Sequence, residues 1–278
     1  MVDRISVGNA EIVFALDMIP PSRPPDGFFE GITIGDWEPY QDILENGQVQ
    51  LYYGHFFVRS NGKTVMVDTG MGPGPHESRG NVKGDLLNQL KTQGVSPEDV
   101  DIVVHTHLHP DHVGWNVDWS SGEPQPYFPN ARYLVPRLDW EHFTKPDVIG
   151  TAPQVTNSVI PLEKMGLIDL IDEGHHITDE ITTLNTPGHT PGHQVTLISS
   201  QGQKAMIVGD AIHSRVQVHE PDWCAGVDTN KDDSRRSRHA LLDMAEKEGH
   251  VVAAGHFHPN DHLGKVILRE GRRYWQVP

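Results

Sequence analysis

The sequence predicts an α/β fold whose chemistry sits on the loops that follow its strands. Three observations lead there. The apolar run Ile102-Val103-Val104 runs straight into Thr106-His107-Leu108-His109-Pro110-Asp111-His112, which places four potential metal ligands within six positions. A helical pattern over residues 85–93, with Leu86, Leu87 and Leu90 and a terminating Gly94, precedes that strand. This helix-then-strand order suits an α/β layer. A later strand, Lys204-Ala-Met-Ile-Val-Gly-Asp210, also ends in a carboxylate.

The ligand run has a physical logic. Alternate side chains of an extended segment share a face, so His107, His109 and Asp111 can point together while Leu108 turns to the core. Pro110 stops the ladder and lets the chain turn, bringing His112 beside Asp111. Imidazoles suit zinc and its neighbours, and a carboxylate suits a second position in a two-metal site. A histidine-rich surface loop is the plainer alternative in a chain with 18 histidines, and the spacing argues against it.

Taken in order, residues 11–16 read as a first strand. Pro20-Pro21-Ser22-Arg23-Pro24-Pro25-Asp26-Gly27 cannot form regular structure, because proline removes donors and fixes φ. Phe28, Phe29, Trp37 and Tyr40 follow it, so residues 20–45 read as a lid or contact surface. Phe28, Phe29 and Trp37 are then expected, with Trp115, to line the substrate pocket; packing on the core or on a second subunit is the competing use. Residues 49–58 and 63–68 read as a β-hairpin about Ser60-Asn61-Gly62, and Asp68-Thr69-Gly70 ends it. Ser96-Pro97-Glu98-Asp99 reads as a capped turn. Residues 128–135 read as a strand and 139–143 as the start of a helix, while residues 146–160 are polar, poorly patterned and read as a second covering loop.

Residues 168–171 and 181–184 are short strands. In Thr186-Pro187-Gly188-His189-Thr190-Pro191-Gly192-His193 two histidines occupy equivalent Pro-Gly turns, and spacing alone does not choose between them. Residues 220–233 are acidic and irregular, residues 236–248 helical. Val251-Val252-Ala253-Ala254 leads to Gly255-His256, with His258 and His262 near enough to compete. Residues 265–268 and 273–276 close the chain as a hairpin about Glu270-Gly271.

The H-x-H-x-D-H run, Thr-Pro-Gly-His189 and Gly-Asp210, in this order, resemble the metallo-β-lactamase superfamily from about Val65 onward. The resemblance implies a four-layer αββα sandwich and one hydrolase domain over residues 1–278. It implies two divalent metal ions, zinc first, with manganese, iron, cobalt or nickel also suited to such a cage. His107, His109 and His189 would hold one ion, Asp111, His112 and His256 the other, and Asp210 would bridge them. Asp68 would orient a ligand histidine from beneath, and His193 would serve as a hydrogen-bonding buttress. The implied reaction is hydrolysis of a lactone, carboxylic ester or phosphoester by a metal-bridging hydroxide, with Asp111 moving a proton and His213 donating to the substrate oxygen. Lactonases of the superfamily place tyrosine where His213 stands. The hydrolases similar to methyl parathion hydrolase match better at residues 106–114, Ser200-Gln-Gly-Gln-Lys204 and Gly209-Asp-Ala-Ile-His213. Thioester hydrolysis of the glyoxalase II type, and a metal-binding scaffold without activity, are the alternatives.

Charge and composition narrow the partners. The formal net charge of −16 argues against a nucleic-acid backbone or an anionic membrane and favours a small-molecule substrate. One cysteine, Cys224, excludes an intramolecular disulfide. The start lacks a signal-peptide core and no run approaches about 18 apolar residues, so a cytoplasmic location is expected. A homodimer is compatible with the aromatic loop.

Overall fold

The computed structural model describes residues 3–278; Met1 and Val2, at the start of the expected domain and of the expected non-signal N-terminus, lie outside the described residues. The chain runs β1 (Arg4–Val7), β2 (Ala10–Met18), β3 (Tyr53–Ser60), β4 (Lys63–Val67), α1 (Leu86–Thr92), β5 (Ile102–Val104), α2 (Pro110–Val113), β6 (Val117–Asp118) and β7 (Gln125–Pro126). It continues with β8 (Arg132–Pro136), α3 (Arg137–Phe143), α4 (Pro153–Ser158), α5 (Ile160–Lys164), β9 (Ile168–Ile171), β10 (Ile181–Asn185), β11 (Gln194–Ser200) and β12 (Gln203–Ile207). It ends with α6 (Val216–His219), α7 (Lys231–Glu248), β13 (Val251–Ala253), β14 (Leu263–Arg269) and β15 (Arg272–Gln276).

Two large sheets result, one in the order β1-β2-β3-β4-β5-β8-β9 and one in the order β10-β11-β12-β13-β14-β15, while β6 and β7 pair as a separate two-stranded ribbon. Period-two alternation assigns their faces. Val65 and Val67 of β4 meet Ala205 and Ile207 of β12 in the core between the sheets. Met66 points the other way, into a core with Leu86 and Leu90 of α1 and Leu162 of α5. Met206 likewise points outward, onto Leu241, Leu242 and Ala245 of α7. Strands covered on both faces explain why the central runs are apolar without interruption. Helix, sheet, sheet, helix is the expected αββα order.

The longest helix, α7, is defined at both ends. The Asn230 side chain accepts from the backbone N–H groups of Asp232 and Asp233, a cap that stabilises by about 1 kcal/mol. Gly249, at φ 71°, supplies the left-handed residue that stops it.

Strands β4, β5 and β8 are parallel, as are β12 and β13. The residues that leave β4, β5, β12 and β13 therefore emerge at one rim of the sandwich: Asp68, the His107–His112 run, Asp210 and His256.

Two expectations about loops need correction. Residues 146–160 are not a loose cover; they contain α4 and the start of α5, with Val155 fully buried. The proline-rich segment holds a short 3-10 helix, Ile34–Ile43. Its aromatic residues form a small core of their own: Phe29 and Trp37 are both 0% exposed and pack with Val49, Val216, Ala225 and the half-buried Trp223. Among the described residues no helix is long and apolar enough to cross a membrane.

Candidate metal centre

The site is built outward from Asp210. Its backbone N–H donates to His193 Nε2 (3.0 Å), while His193 Nδ1 is engaged with Thr186 Oγ1 (2.8 Å). Both nitrogens of His193 are thus used to hold the loop after β12. The two carboxylate oxygens of Asp210 then face different histidines. Oδ1 lies 3.1 Å from His112 Nε2 and 3.0 Å from His256 Nε2. Oδ2 lies 3.2 Å from His189 Nε2, 3.8 Å from His107 Nε2 and 3.3 Å from His213 Nε2.

The histidines are oriented from behind. Asp68 follows β4 at φ 61°, a left-handed conformation that costs a non-glycine residue roughly 1–2 kcal/mol. That turn aims its carboxylate at the ligand run. Oδ1 accepts from Thr106 N (2.8 Å), and Oδ2 accepts from Thr106 Oγ1 (2.7 Å) and His112 Nδ1 (2.9 Å). Thr106 Oγ1 in turn accepts from His107 Nδ1 at 2.9 Å, so Asp68 sets one imidazole directly and a second through a hydroxyl. His256 Nδ1 donates to the Tyr52 carbonyl at 2.8 Å. In each case the other nitrogen, Nε2, keeps its lone pair toward Asp210.

His189 is wedged between helices. Its Nδ1 donates to Asp228 Oδ1 at 2.9 Å, and Thr229 N donates to its carbonyl. A Cβ at Gly188 would lie 2.1 Å from Ser234 N, so only glycine lets this loop approach the start of α7. On the other side Asp139 of α3 accepts from Leu108 N, Thr190 Oγ1 and Gly192 N.

Electrostatics follow the geometry. Burial, and then the neighbouring imidazole of His189, hold His109 down to about 3. Burial also holds His107 well below the usual histidine range. For His112 burial acts the same way, but the carboxylates of Asp210, Asp68 and Asp111 outweigh it and raise its pKa. Burial would lift Asp68 and Asp210; the surrounding histidines reverse this and keep both carboxyls ionised. Asp17 has no histidine beside it and Asp139 feels only His189, so burial prevails and pushes each up to about 6.

These residues fit a pair of cations. Ligand atoms of His107, His109, His189 and Asp210 all lie within 4.8 Å of one another, as do those of Asp111, His112 and His256. His112 Nε2 and Asp210 Oδ1 are buried and close, yet neither atom makes a hydrogen bond among the described residues. Nitrogen and carboxylate oxygen donors in this number suit zinc or a neighbouring transition metal.

The remaining expected site residues are distributed as follows. Asp111 has a part-exposed carboxylate 4.0 Å from His112 Nε2. His213 and His256 line a cavity of about 310 Å³ with Gln50, Ser214, Arg215 and His258. His258 accepts from Asn260 N, and His262 stacks on Phe14 at 3.9 Å inside the core; neither joins a ligand group among the described residues. Phe29, Trp37 and Trp115 do not line that cavity. Trp115 is buried against Tyr127 and donates to Asp17 Oδ1, and Phe28, half-buried, packs edge-on to Phe29. Phe28, Phe29 and Trp37 pack on one another and on Val49, Val216 and Trp223, whereas Trp115 is drawn into the core beneath α1 by its bond to Asp17. Nothing in the sequence pattern marks the roles of Asp228, Asp139 and Arg238 at this site. Asp228 sits in an acidic stretch with nothing in its spacing to separate it from Asp222 or Asp232.

Two sheets back to back, helices outside and a buried histidine–aspartate cluster at one rim define a class of metal-centre αββα protein. Residues 56–256 match the family described as the metallo-beta-lactamase superfamily, and the chain belongs to it. N-acyl homoserine lactonase AttM of Rhizobium radiobacter is 29% identical over 182 residues, 61% of this chain and 63% of its own length. The AttM of Azorhizobium caulinodans is 30% identical over 177 residues, 60% and 62% of the two lengths. The chain thus spans less than two thirds of the length of these relatives. Among solved structures, the hydrolase AbOPH of the beta lactamase superfamily superposes with a TM-score of 0.84 at 25% identity, covering 99% of this chain and 96% of that one. AidC, a dizinc quorum-quenching lactonase in complex with a product, superposes with a TM-score of 0.81 at 23% identity over the same shares.

Proposed function

We propose that the protein is a metal-dependent hydrolase with two divalent ions, acting on a lactone. The observation that carries this is Asp210, which presents one oxygen to His112 and His256 and the other to His107 and His189. A carboxylate placed so can be shared by two cations. The lactonase names of the relatives point to the bond, and the cavity of about 310 Å³ beside His213 and His256 provides room for a small substrate.

The bound ions would polarise the substrate oxygen and lower the pKa of a coordinated water to roughly 7. Everything else is work for the chain. His107, His109 and His189 would hold one ion and Asp111, His112 and His256 the other. Asp68, Asp228 and the Tyr52 carbonyl keep three of those imidazoles in the tautomer that leaves Nε2 free. Asp111, whose carboxylate is part-exposed at the site, takes a proton and returns it to the leaving oxygen. His213, in the cavity wall, donates to the substrate oxygen as charge builds there. Aryl-ester or phosphoester cleavage is the second reading, favoured by a histidine at position 213.

The test combines metal content and turnover. Two ions per chain are expected after zinc loading, with Asp210→Ala losing both and His256→Ala losing one, alongside hydrolysis of an N-acyl homoserine lactone. Fewer than two ions in the wild type, or equal losses in the two variants, would refute the assignment. Aryl-ester turnover with an inert lactone would select the second reading.

A further inference from the structure

The His107–His109 run and the His189 loop reach one point from distant parts of the chain, and a single side chain touches both. Asp139 in α3 is 0% exposed. Its Oδ2 accepts from Leu108 N at 3.1 Å and Thr190 Oγ1 at 2.9 Å, and its Oδ1 accepts from Gly192 N at 2.6 Å. Leu108 stands between His107 and His109; Thr190 directly follows His189. We propose that Asp139 is a positioning residue: it fixes the spacing of His107, His109 and His189, and so sets the affinity of that half of the metal centre without setting the other. The inference rests on the reading of these histidines as metal ligands.

Two further observations support it. A Cβ at Gly192 would lie 2.4 Å from Asp139 N and 2.9 Å from its Oδ1. Glycine is needed there for close approach to α3, which accounts for the second Pro-Gly of the Thr-Pro-Gly-His-Thr-Pro-Gly-His run. In addition, among the described residues no lysine or arginine is paired with Asp139, so three donors from the two ligand loops hold its buried carboxylate. A group that is costly to bury keeps its place only while those donors do. The opposite half is oriented by other groups, Asp68 behind His112 and the Tyr52 carbonyl behind His256.

Asp17 provides an internal control. It is as deeply buried and accepts from Met71 N, Asp85 N, Leu86 N and Trp115 Nε1, none of which belongs to the His107, His109 or His189 loops.

The experiment is zinc titration of the full chain against a chelator, with the unfolding midpoint of the metal-free protein measured beside it. An amide at position 139 must turn its NH2 toward either Leu108 N–H or Gly192 N–H. Asp139→Asn should therefore weaken one of two zinc affinities roughly ten- to a hundredfold and leave the other within about twofold. Adding His256→Ala should then remove the ion that Asp139→Asn retained. Thr190→Val, which deletes one of the three bonds with no change of charge, should weaken the same affinity severalfold, and Thr190→Ser should restore it; this pair carries the test should Asp139→Asn not fold. Asp17→Asn should lower the unfolding midpoint with both affinities unchanged. Equal weakening of both affinities by Asp139→Asn, no weakening by either substitution, or the same selective loss in Asp17→Asn overturns the proposal. A wild-type chain that binds fewer than two ions overturns instead the ligand assignment beneath it.

Discussion

Replacing Asp228 by asparagine probes the tie between α7 and the metal centre. Asp228 Oδ1 accepts from His189 Nδ1 at 2.9 Å and Oδ2 from Ser234 Oγ at 2.9 Å, and Arg238 lies 3.6 Å from Oδ2. Both charged side chains are fully buried. Burial alone would raise the Asp228 carboxyl, but the His189 bond and then the charges of His213, His189 and Arg238 lower it to about 2. The substitution has two costs. It strands a buried guanidinium, and breaking such a pair costs roughly 3–5 kcal/mol. Arg238 keeps its bonds to the carbonyls of Ala211, Pro221 and Trp223, so the lower end, about 3 kcal/mol, is expected. The second cost falls on His189, which loses a charged acceptor; zinc affinity should drop roughly ten- to a hundredfold. Urea unfolding of the metal-free protein reads the first cost and chelator competition the second. Combined with Arg238→Met, the double variant should cost less than the sum of the single ones by about 1–3 kcal/mol. An Asp228→Asn protein with an unchanged midpoint and unchanged zinc affinity would show that neither tie matters.

Two other outcomes are expected. Because burial pushes Asp17 up to about 6, its carboxyl binds a proton more tightly in the folded chain than in the unfolded one, and stability falls as pH rises from about 4 to 6. In metal-free Asp17→Asn that loss is absent, so its deficit against wild type should shrink by up to about 3 kcal/mol over this range; a constant deficit would contradict the burial argument. His213→Ala should slow lactone turnover by about 2–4 kcal/mol in barrier terms with two ions still bound. Normal turnover would reduce His213 to packing.

The sequence was most legible where function and local geometry coincide. The His107–His112 run is compact because one strand end and one turn supply four of the clustered side chains, and a period-two pattern can be seen by eye. Apolar strands such as residues 102–104 and 251–253 betray themselves as uninterrupted runs, because both of their faces are covered. Long-range partners leave no such trace. Asp228 meets His189 only because Gly188 lets two segments touch, and Asp139 meets Leu108 and Gly192 across three separate elements. His189 and His193 are each preceded by Thr-Pro-Gly; they differ because His193 spends one nitrogen on Thr186 and the other on the backbone of Asp210. Helix α4 escaped notice because six residues starting at a proline, with one buried side chain, are too short to show a period.

The topology has a consequence for assembly. Each sheet is drawn from one continuous stretch of chain, residues 4–171 and then residues 181–276. The residues proposed for each ion come from both stretches, so a loaded centre would staple the two halves together across long loops. Closing long loops is what a cross-link does best, since the entropy it removes from the unfolded chain grows with loop length. The residues proposed for one ion end at Asp210 and those for the other at His256, so the first set would be complete in the growing chain before the second.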